Sequence, residues 1–189
     1  MAFGMDIIIM VIGALVVIGI AVFFVSVFNA LVRLKNNIKK SWANIDVLLK
    51  QRSDELPKLI NSVKGYMKHE RGTLTQLTRA RTDFLNAKTM AEKAAADGII
   101  SGALKTLFAV AENYPNLKAN ENFIQLQNRI SGLENELADR REFYNDSVNT
   151  YNIKIQSFPD MMVARMLGYR SEEMFKVAEE DKKDVEVSF

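Results

Sequence analysis

The sequence contains no cysteine, and it has only one histidine, three prolines and nine glycines among its 189 residues. Without cysteine there are no disulfides, no thiol nucleophile, no thiolate ligands for zinc and no lipoprotein anchor. The absence does not decide the redox compartment, because a protein without cysteine is compatible with either side of a membrane. The scarcity of proline and glycine favours long helices over a β fold with many turns.

An excess of charge of one sign is also missing. The chain has 25 Lys and Arg residues against 23 Asp and Glu, a net charge of +2. We therefore expect no nucleic acid as a partner. There is no glycine-rich phosphate loop and no G-x-S-x-G elbow. With one histidine, a metal site would need mostly carboxylates, which argues against zinc. These patterns predict a protein that is not an enzyme, with no catalytic residues, cofactor or metal.

Residues 7–28 form a long run without a charged side chain, IIIMVIGALVVIGIAVFFVSVF. A helix of this length spans about 33 Å, against a hydrocarbon core of about 30 Å. A cleaved signal peptide is the alternative, but no Lys or Arg precedes the run and no small-x-small cleavage site follows it. We predict a transmembrane helix over 7–28, preceded by a short extracytoplasmic segment, 1–6.

The charges on either side of this run predict its orientation. The N-terminal side carries Asp6 and no basic residue, whereas four basic residues precede the first acid on the C-terminal side: Arg33, Lys35, Lys39 and Lys40. Basic flanks favour the cytoplasmic side. We therefore expect a single-pass protein of the cell membrane with its N-terminus outside. Two readings of the basic flank stay open, a topology signal alone or a contact with anionic lipid headgroups.

Apolar residues recur at steps of three and four along the rest of the chain, which predicts amphipathic helices. The first runs on from the span to about residue 70, with Pro57 expected to kink or restart it. The second covers 73–113. Gly98 and Gly102 within it indicate close packing or a break near Asp97-Gly98.

The third predicted helix runs from Phe123 to Phe158 and has the most regular pattern. Its period near 3.5 is typical of coiled-coil packing. A short fourth helix is expected over 160–167. The predicted fold is all-α: a transmembrane helix continuing into an antiparallel bundle of three long helices plus the short fourth, over 29–169. A charged tail, 170–189, is expected to be only partly ordered.

Four motifs in this order resemble the LemA family of bacterial and archaeal membrane proteins. They are FNALV (28–32), SWANIDVLLKQRSDELPKLINSVKGYMKHE (41–70), AENYPNLKANENFIQLQ (111–127) and RREFYNDSVNTYNIKIQSFP (140–159). The resemblance covers residues 28 to about 175. Glu55 departs from it, since the family usually has an apolar residue there. The resemblance implies one N-terminal span and a cytoplasmic helical bundle, and it implies no reaction. It also links some relatives to intracellular membrane compartments and others to neighbouring membrane metalloproteases.

Ten residues of these motifs are our candidates for interaction or for bundle specificity: Trp42, Asp46, Arg52, Tyr66, His69, Glu70, Tyr144, Asn145, Tyr151 and Asn152. The pair His69-Glu70 lacks the second histidine of a zinc metalloprotease helix, because Arg71, Gly72 and Thr73 follow it. We interpret His69 as a residue that caps helix one or bonds between helices. A pH-sensing role is the alternative.

The pairs Tyr144-Asn145 and Tyr151-Asn152 are seven residues apart, so both tyrosines fall on one helix face. Tyr and Asn side chains buried between helices must find hydrogen-bond partners. Such polar contacts fix the register of a bundle. The alternative is that this face contacts another subunit or protein.

The combined pattern predicts a membrane-anchored scaffold. We expect it to self-associate into a homo-oligomer at the membrane surface, in contact with lipid, and to organise or remodel membrane. The alternative is an adaptor or regulator of another membrane protein, such as a membrane protease.

Overall fold

The computed structural model describes residues 2–67 and 70–175, and this part of the chain is all-α without a strand. The predicted fold class is confirmed. The helices in the described ranges are α1 (Ala2–Lys64), α2 (Arg71–Asn86), α3 (Met90–Ala111), α4 (Pro115–Lys118), α5 (Glu121–Gln156) and α6 (Asp160–Met166).

The apolar run and the first amphipathic stretch form one helix, α1, which is 63 residues long. Large apolar side chains are exposed along α1 from Met5 to Phe23, and the length and composition of the helix make it a candidate membrane span. Pro57 lies inside α1 and does not end it. The helix ends at Lys64, earlier than the predicted end near residue 70, in a turn where the amide of Met67 donates to the oxygen of Val63.

The predicted helix over 73–113 is wrong as a single element, because α2 ends at Asn86 and α3 begins at Met90. Thr89 and Glu92 make the break: Thr89 Oγ1 accepts from the Glu92 amide, and Glu92 Oε2 accepts from the Thr89 amide. This capping box satisfies amides that the first turn of α3 leaves free. Of the two alternatives for Gly98 and Gly102, a break near Asp97-Gly98 is excluded, since both residues lie inside α3.

α3 is also long and apolar enough to count as a candidate span. Its apolar side chains at Ile100, Leu104 and Leu107 are buried within the protein, as in the core helix of a soluble domain. The chain then turns, and Pro115 opens the short α4 at its first position, where a proline costs no helical hydrogen bond.

α5 has 36 residues and a buried seam. Phe123, Ile130, Leu137, Tyr144 and Tyr151 recur every seven residues along it, and all are buried. Phe158, which the pattern assigned to this seam, lies beyond the helix end and is 77% exposed. Gly168 ends the region of α6 with a left-handed φ of +73°, a conformation that glycine adopts without strain.

By its internal contacts the chain divides into two units. The first contains α1 up to Trp42 together with Phe143–Met174; its core includes Leu31, Val148 and Val163. The second contains Ala43–Glu142 and Phe175; its core is built on residues such as Leu56, Leu77, Leu107 and Ile130. In the second unit α1 and α5 run antiparallel, because Arg52 lies near Glu134 while Glu55 lies near Arg129.

Candidate functional site

A buried ion pair connects α1 to α3 in the second unit. Arg52 and Asp97 are 1% and 2% exposed. Arg52 Nη1 donates to Asp97 Oδ1 at 2.9 Å, and Nη2 donates to Ser101 Oγ at 2.8 Å. Glu134 Oε1 of α5 lies 3.5 Å from Nη2. Because burial of two charges is costly, such a pair persists only where hydrogen bonds engage both groups. Arg52 therefore fixes the positions of α1, α3 and α5 in this unit.

A second guanidinium group completes this network. Arg141 of α5 donates from Nη2 to Asp97 Oδ2. Its Cζ also lies 4.8 Å from the ring centroid of Phe175, a cation–π distance. Burial raises the pKa of Asp97, and the positive charges of Arg52 and Arg141 oppose this rise. Both carboxylate oxygens of Asp97 accept a hydrogen bond from a guanidinium group, so the network holds α1, α3 and α5 together.

Arg52 was among the residues predicted from the sequence, but Asp97 and Arg141 were not. In the sequence, Asp97 enters only through one of two alternatives, a helix break near Asp97-Gly98 or close packing at Gly98 and Gly102. The signal that identifies it is its spacing: Asp97 falls on the same stripe as Ile100 and Leu104, both buried on α3. A lone acid on a buried stripe requires a cation from a neighbouring helix.

Glu55 is a second buried acid in this unit, at the position where the LemA resemblance has a departure. Its side chain is 5% exposed and is paired with Arg129 Nε at 3.0 Å and Lys58 Nζ at 3.0 Å. Both partners are themselves well exposed. The two cations thus accommodate a carboxylate at a site otherwise suited to an apolar side chain.

In the first unit, the second Tyr-Asn pair of α5 binds the extended segment that follows α6. Tyr151 donates its hydroxyl to the backbone oxygen of Arg170 at 2.8 Å. Asn152 makes two bonds to Glu172: Nδ2 donates to its oxygen at 2.9 Å, and Oδ1 accepts from its amide at 3.0 Å. The side-chain amide of Asn152 therefore makes the same pair of hydrogen bonds to the backbone of Glu172 that a neighbouring β-strand would make.

The first Tyr-Asn pair continues this contact. The Tyr144 hydroxyl donates to the oxygen of Glu173 at 3.2 Å, and the Tyr144 ring lies edge-on to Trp42 with centroids 6.1 Å apart. Asn145 is half-buried beside it. Burial raises the pKa of Tyr144 and of Tyr151, so both phenols stay protonated donors. Tyr144, Tyr151 and Asn152 thus hold the start of the predicted charged tail against α5.

The other predicted residues lie apart from these two clusters. Asp46 accepts from Lys93 of α3, and the Tyr66 hydroxyl accepts from Asn120 Nδ2 at 3.4 Å. Glu70 occupies the N-cap position of α2 without a side-chain capping bond. His69 lies outside the described residues.

The basic flank is mostly exposed. Arg33, Lys39 and Lys40 are exposed on α1. Lys35 lies 3.4 Å from Glu172 and 5.8 Å from the ring centroid of Tyr169, so it contacts the segment after α6. Three of the four basic side chains of the flank are therefore exposed on the surface of α1.

A groove lies between the end of α1 and α2. It has a volume of about 840 Å³, and its lining includes Asn61, Lys64, Arg71 and Arg79. Over residues 2–67 and 70–175, no group of three or more His, Asp or Glu side chains is arranged to hold a metal ion.

Comparison with known proteins gives one family and several relatives. A family model described as the LemA family matches residues 41–189. Protein LemA of Metamycoplasma hominis is 31% identical over 165 residues, which cover 85% of this chain and 74% of that protein.

Two further relatives are magnetosome proteins by name. Magnetosome protein MamQ 2 of Paramagnetospirillum magneticum is 35% identical over 81 residues, 43% of this chain and 30% of that protein. Magnetosome protein MamQ of Magnetospirillum gryphiswaldense is 31% identical over 80 residues, 42% of this chain and 29% of that protein. The match to the magnetosome proteins thus covers less than a third of their length.

Proposed function

The chain belongs to the LemA family, and from this membership we propose that it is a non-enzymatic, membrane-anchored scaffold that self-associates at the membrane surface. Its first apolar stretch, 7–28, spans the cell membrane once. The N-terminus lies outside, and the basic flank with the following helices lies in the cytoplasm, as the positive-inside rule favours.

The observation that carries the proposal is the continuity of α1. One helix of 63 residues, about 95 Å long, contains both the exposed apolar run and the buried residues from Leu31 to Val63. Buried side chains of the first unit, such as Leu31 and Ile38, hold α1 against the rest of that unit. The span is therefore continuous with a helix that is packed in a folded unit, as a scaffold at a membrane requires.

Apolar side chains exposed outside the span support lateral association between copies. Val47, Ile99 and Ile153 are each exposed by more than a third of their surface. Several such side chains on cytoplasmic helices give two copies apolar surface to bury.

The absence of cysteine makes a clean cross-linking test available. Val47→Cys and Ile153→Cys are introduced singly into the full chain and treated with a bifunctional maleimide in native membranes. Asn149→Cys, an exposed polar position on α5, is the matched control. We expect a cross-linked dimer from at least one apolar position and little from Asn149→Cys, because a chain with a single cysteine can be joined to only one other chain. Monomer alone at both apolar positions would contradict self-association.

A second candidate function is an adaptor for another membrane protein, and the groove between α1 and α2 favours it. Its apolar floor at Ile60 and Met67 is flanked by the cations Lys64, Arg71 and Arg79. A photoreactive amino acid at Thr78, which lines the groove, tests this candidate in native membranes. Capture of a different membrane protein would support the adaptor, and capture of a second copy of this chain would support the scaffold.

A further inference from the structure

The turn before α6 and α6 itself expose an apolar surface, which we call the α6 patch: Phe158, Met162, Met166 and Leu167. Met162 and Met166 are 62% and 67% exposed and lie one turn apart on the same side of the helix. Val163 and Ala164, on the other side, are buried. Single exposed apolar residues are ordinary on a protein surface, but four around one short helix form a patch that requires an explanation.

The α6 patch belongs to the same unit as the apolar run of α1. In this unit α1 and α5 run antiparallel: Ser41 Oγ lies 3.4 Å from Ser147 Oγ, and the ring of Trp42 contacts that of Tyr144. Val27 lies about 21 Å before Ser41 along α1. α5 continues past Ser147 to Gln156, about 14 Å, and the turn of 157–159 and α6 follow it. α5 therefore ends about 8 Å before the level of Val27, and the turn that carries the α6 patch starts close to the last turns of the run 7–28.

Burial on α1 gives independent support for this level. Val27 is 4% exposed and Phe24 is half-buried, whereas their neighbours Val25 and Phe28 are exposed. The other segments of this unit are the end of α5, α6 and the residues after it. These segments therefore reach the last turn of the apolar run, at the depth where a membrane protein meets the edge of the hydrocarbon core.

The charges around the α6 patch also suit a membrane surface. Arg165 and Arg170 are exposed beside it. The acid of α6, Asp160, is paired with Lys154 at 2.9 Å, so its negative charge is neutralised. Apolar side chains with arginines at their edge are typical of helices that lie in the interface of a bilayer with anionic lipids.

We propose that the α6 patch is a second membrane contact, in which Phe158, Met162, Met166 and Leu167 insert between the headgroups beside the transmembrane part of α1. The bilayer then holds the first unit at two places, the span and an interfacial helix. Two contacts restrict rotation of the unit about the span axis, which one span alone does not. The contact requires that α1 spans the membrane, as proposed above, and it does not require self-association.

Spin labels on single cysteines measure this contact directly in the full chain, reconstituted in nanodiscs of phosphatidylcholine and phosphatidylglycerol. Phe158→Cys and Met166→Cys test the patch. Phe143→Cys, an exposed phenylalanine position of the same unit, is the matched control, and Val16→Cys reports on the span. For each label we measure two collision rates, one with oxygen, which concentrates in lipid, and one with a water-soluble nickel complex. The ratio of the two rates shows whether the label faces lipid or water.

We expect labels at 158, 166 and 16 to favour oxygen over nickel, and the label at 143 not to. Nickel access at 158 and 166 equal to that at 143 would overturn the proposal, since the patch would face water. Low access to both reagents would also overturn it, because protein such as a second copy would cover the patch. If the label at 16 lacks the lipid signature, the span itself fails; if only 158 and 166 lack it, the α6 contact alone fails.

A charge in the patch provides a second readout. Met166→Glu places a carboxylate where the proposal places lipid, and Phe143→Glu is its control. We expect Met166→Glu to lower the oxygen access of the label at 158 by several fold and Phe143→Glu to leave it unchanged. An unchanged value with Met166→Glu would contradict insertion.

Discussion

Arg81 of α2 donates from Nε to the backbone oxygen of Ser53 on α1 at 3.0 Å. That oxygen is the one that Pro57 leaves without a helical donor, because proline has no amide hydrogen. The Arg81 side chain, which comes from α2, thus supplies the hydrogen bond that Pro57 cannot donate within α1. α1 therefore continues through Pro57. The bond also explains why the predicted kink or restart is not needed at this position.

A double-mutant cycle tests this relationship. Arg81→Met keeps the apolar stem and removes the donor, and we expect it to lower the free energy of unfolding by about 1.5 kcal/mol. In a Pro57→Ala background, the new amide of residue 57 bonds to the Ser53 oxygen, so the same change should cost much less. Urea unfolding followed by circular dichroism gives both values. Equal losses in the two backgrounds would contradict the account.

The buried pair Arg52–Asp97 predicts a large effect of a single substitution. Arg52→Met removes one partner and leaves a buried carboxylate with Arg141 alone, which should cost about 3–5 kcal/mol. It also removes the first of the two charges that oppose the raised pKa of Asp97, so the loss should grow as pH rises.

The double variant Arg52→Met with Asp97→Leu is the control for this prediction. It removes both charges, and it should recover much of the stability lost in the single variant. Urea unfolding at several pH values measures both variants. A double variant as unstable as the sum of the two single changes would show that the ion pair is not what couples α1 to α3.

The contact of Asn152 with Glu172 predicts protection from protease. Trypsin cleaves after Arg170, within the segment that Tyr151 and Asn152 hold. Asn152→Ala removes two hydrogen bonds, so cleavage there should become at least about tenfold faster in detergent-solubilised protein. Asn149→Ala, an exposed asparagine on the same helix, should leave the rate unchanged. Equal rates in both variants would place the segment away from Asn152.

The capping box of α3 predicts a pH dependence. Backbone amides of Lys88 and Thr89 donate to Glu92 and lower the pKa of its carboxyl below 4.5. A carboxyl group whose pKa is lowered in the folded state stabilises the fold at pH values above its ordinary pKa. This stabilisation is lost as the pH falls through the lowered pKa. The difference in urea midpoint between the parent and Glu92→Gln should therefore be largest above pH 4.5 and vanish in acid. A difference independent of pH would exclude this role.

The long periodic elements were predictable because burial of one face imposes the helical period on the sequence. The seam of α5 from Phe123 to Tyr151 and the apolar run of α1 show this directly. The four LemA motifs lie largely on such helices, and the chain belongs to that family. In contrast, the break at residues 87–89 was missed, since the capping by Thr89 and Glu92 is local and no proline or glycine marks it in the sequence.

Contacts between distant residues were the least predictable part of the candidate site. The sequence pattern identified Arg52, but its partners Asp97 and Arg141 are far along the chain, and only the packing of three helices brings them together. Phe158 matched the spacing of the α5 seam, yet the helix ends before it, and its side chain belongs to the α6 patch instead. Periodicity gives the face of a helix and not its last turn.

The proposed scaffold requires that copies of this chain associate with one another at the membrane surface. We would measure the mass of the full-length protein extracted in mild detergent, by light scattering with electron microscopy of the same particles. Self-association predicts one large, discrete particle with rotational symmetry. A monomer or dimer as the sole species would contradict it.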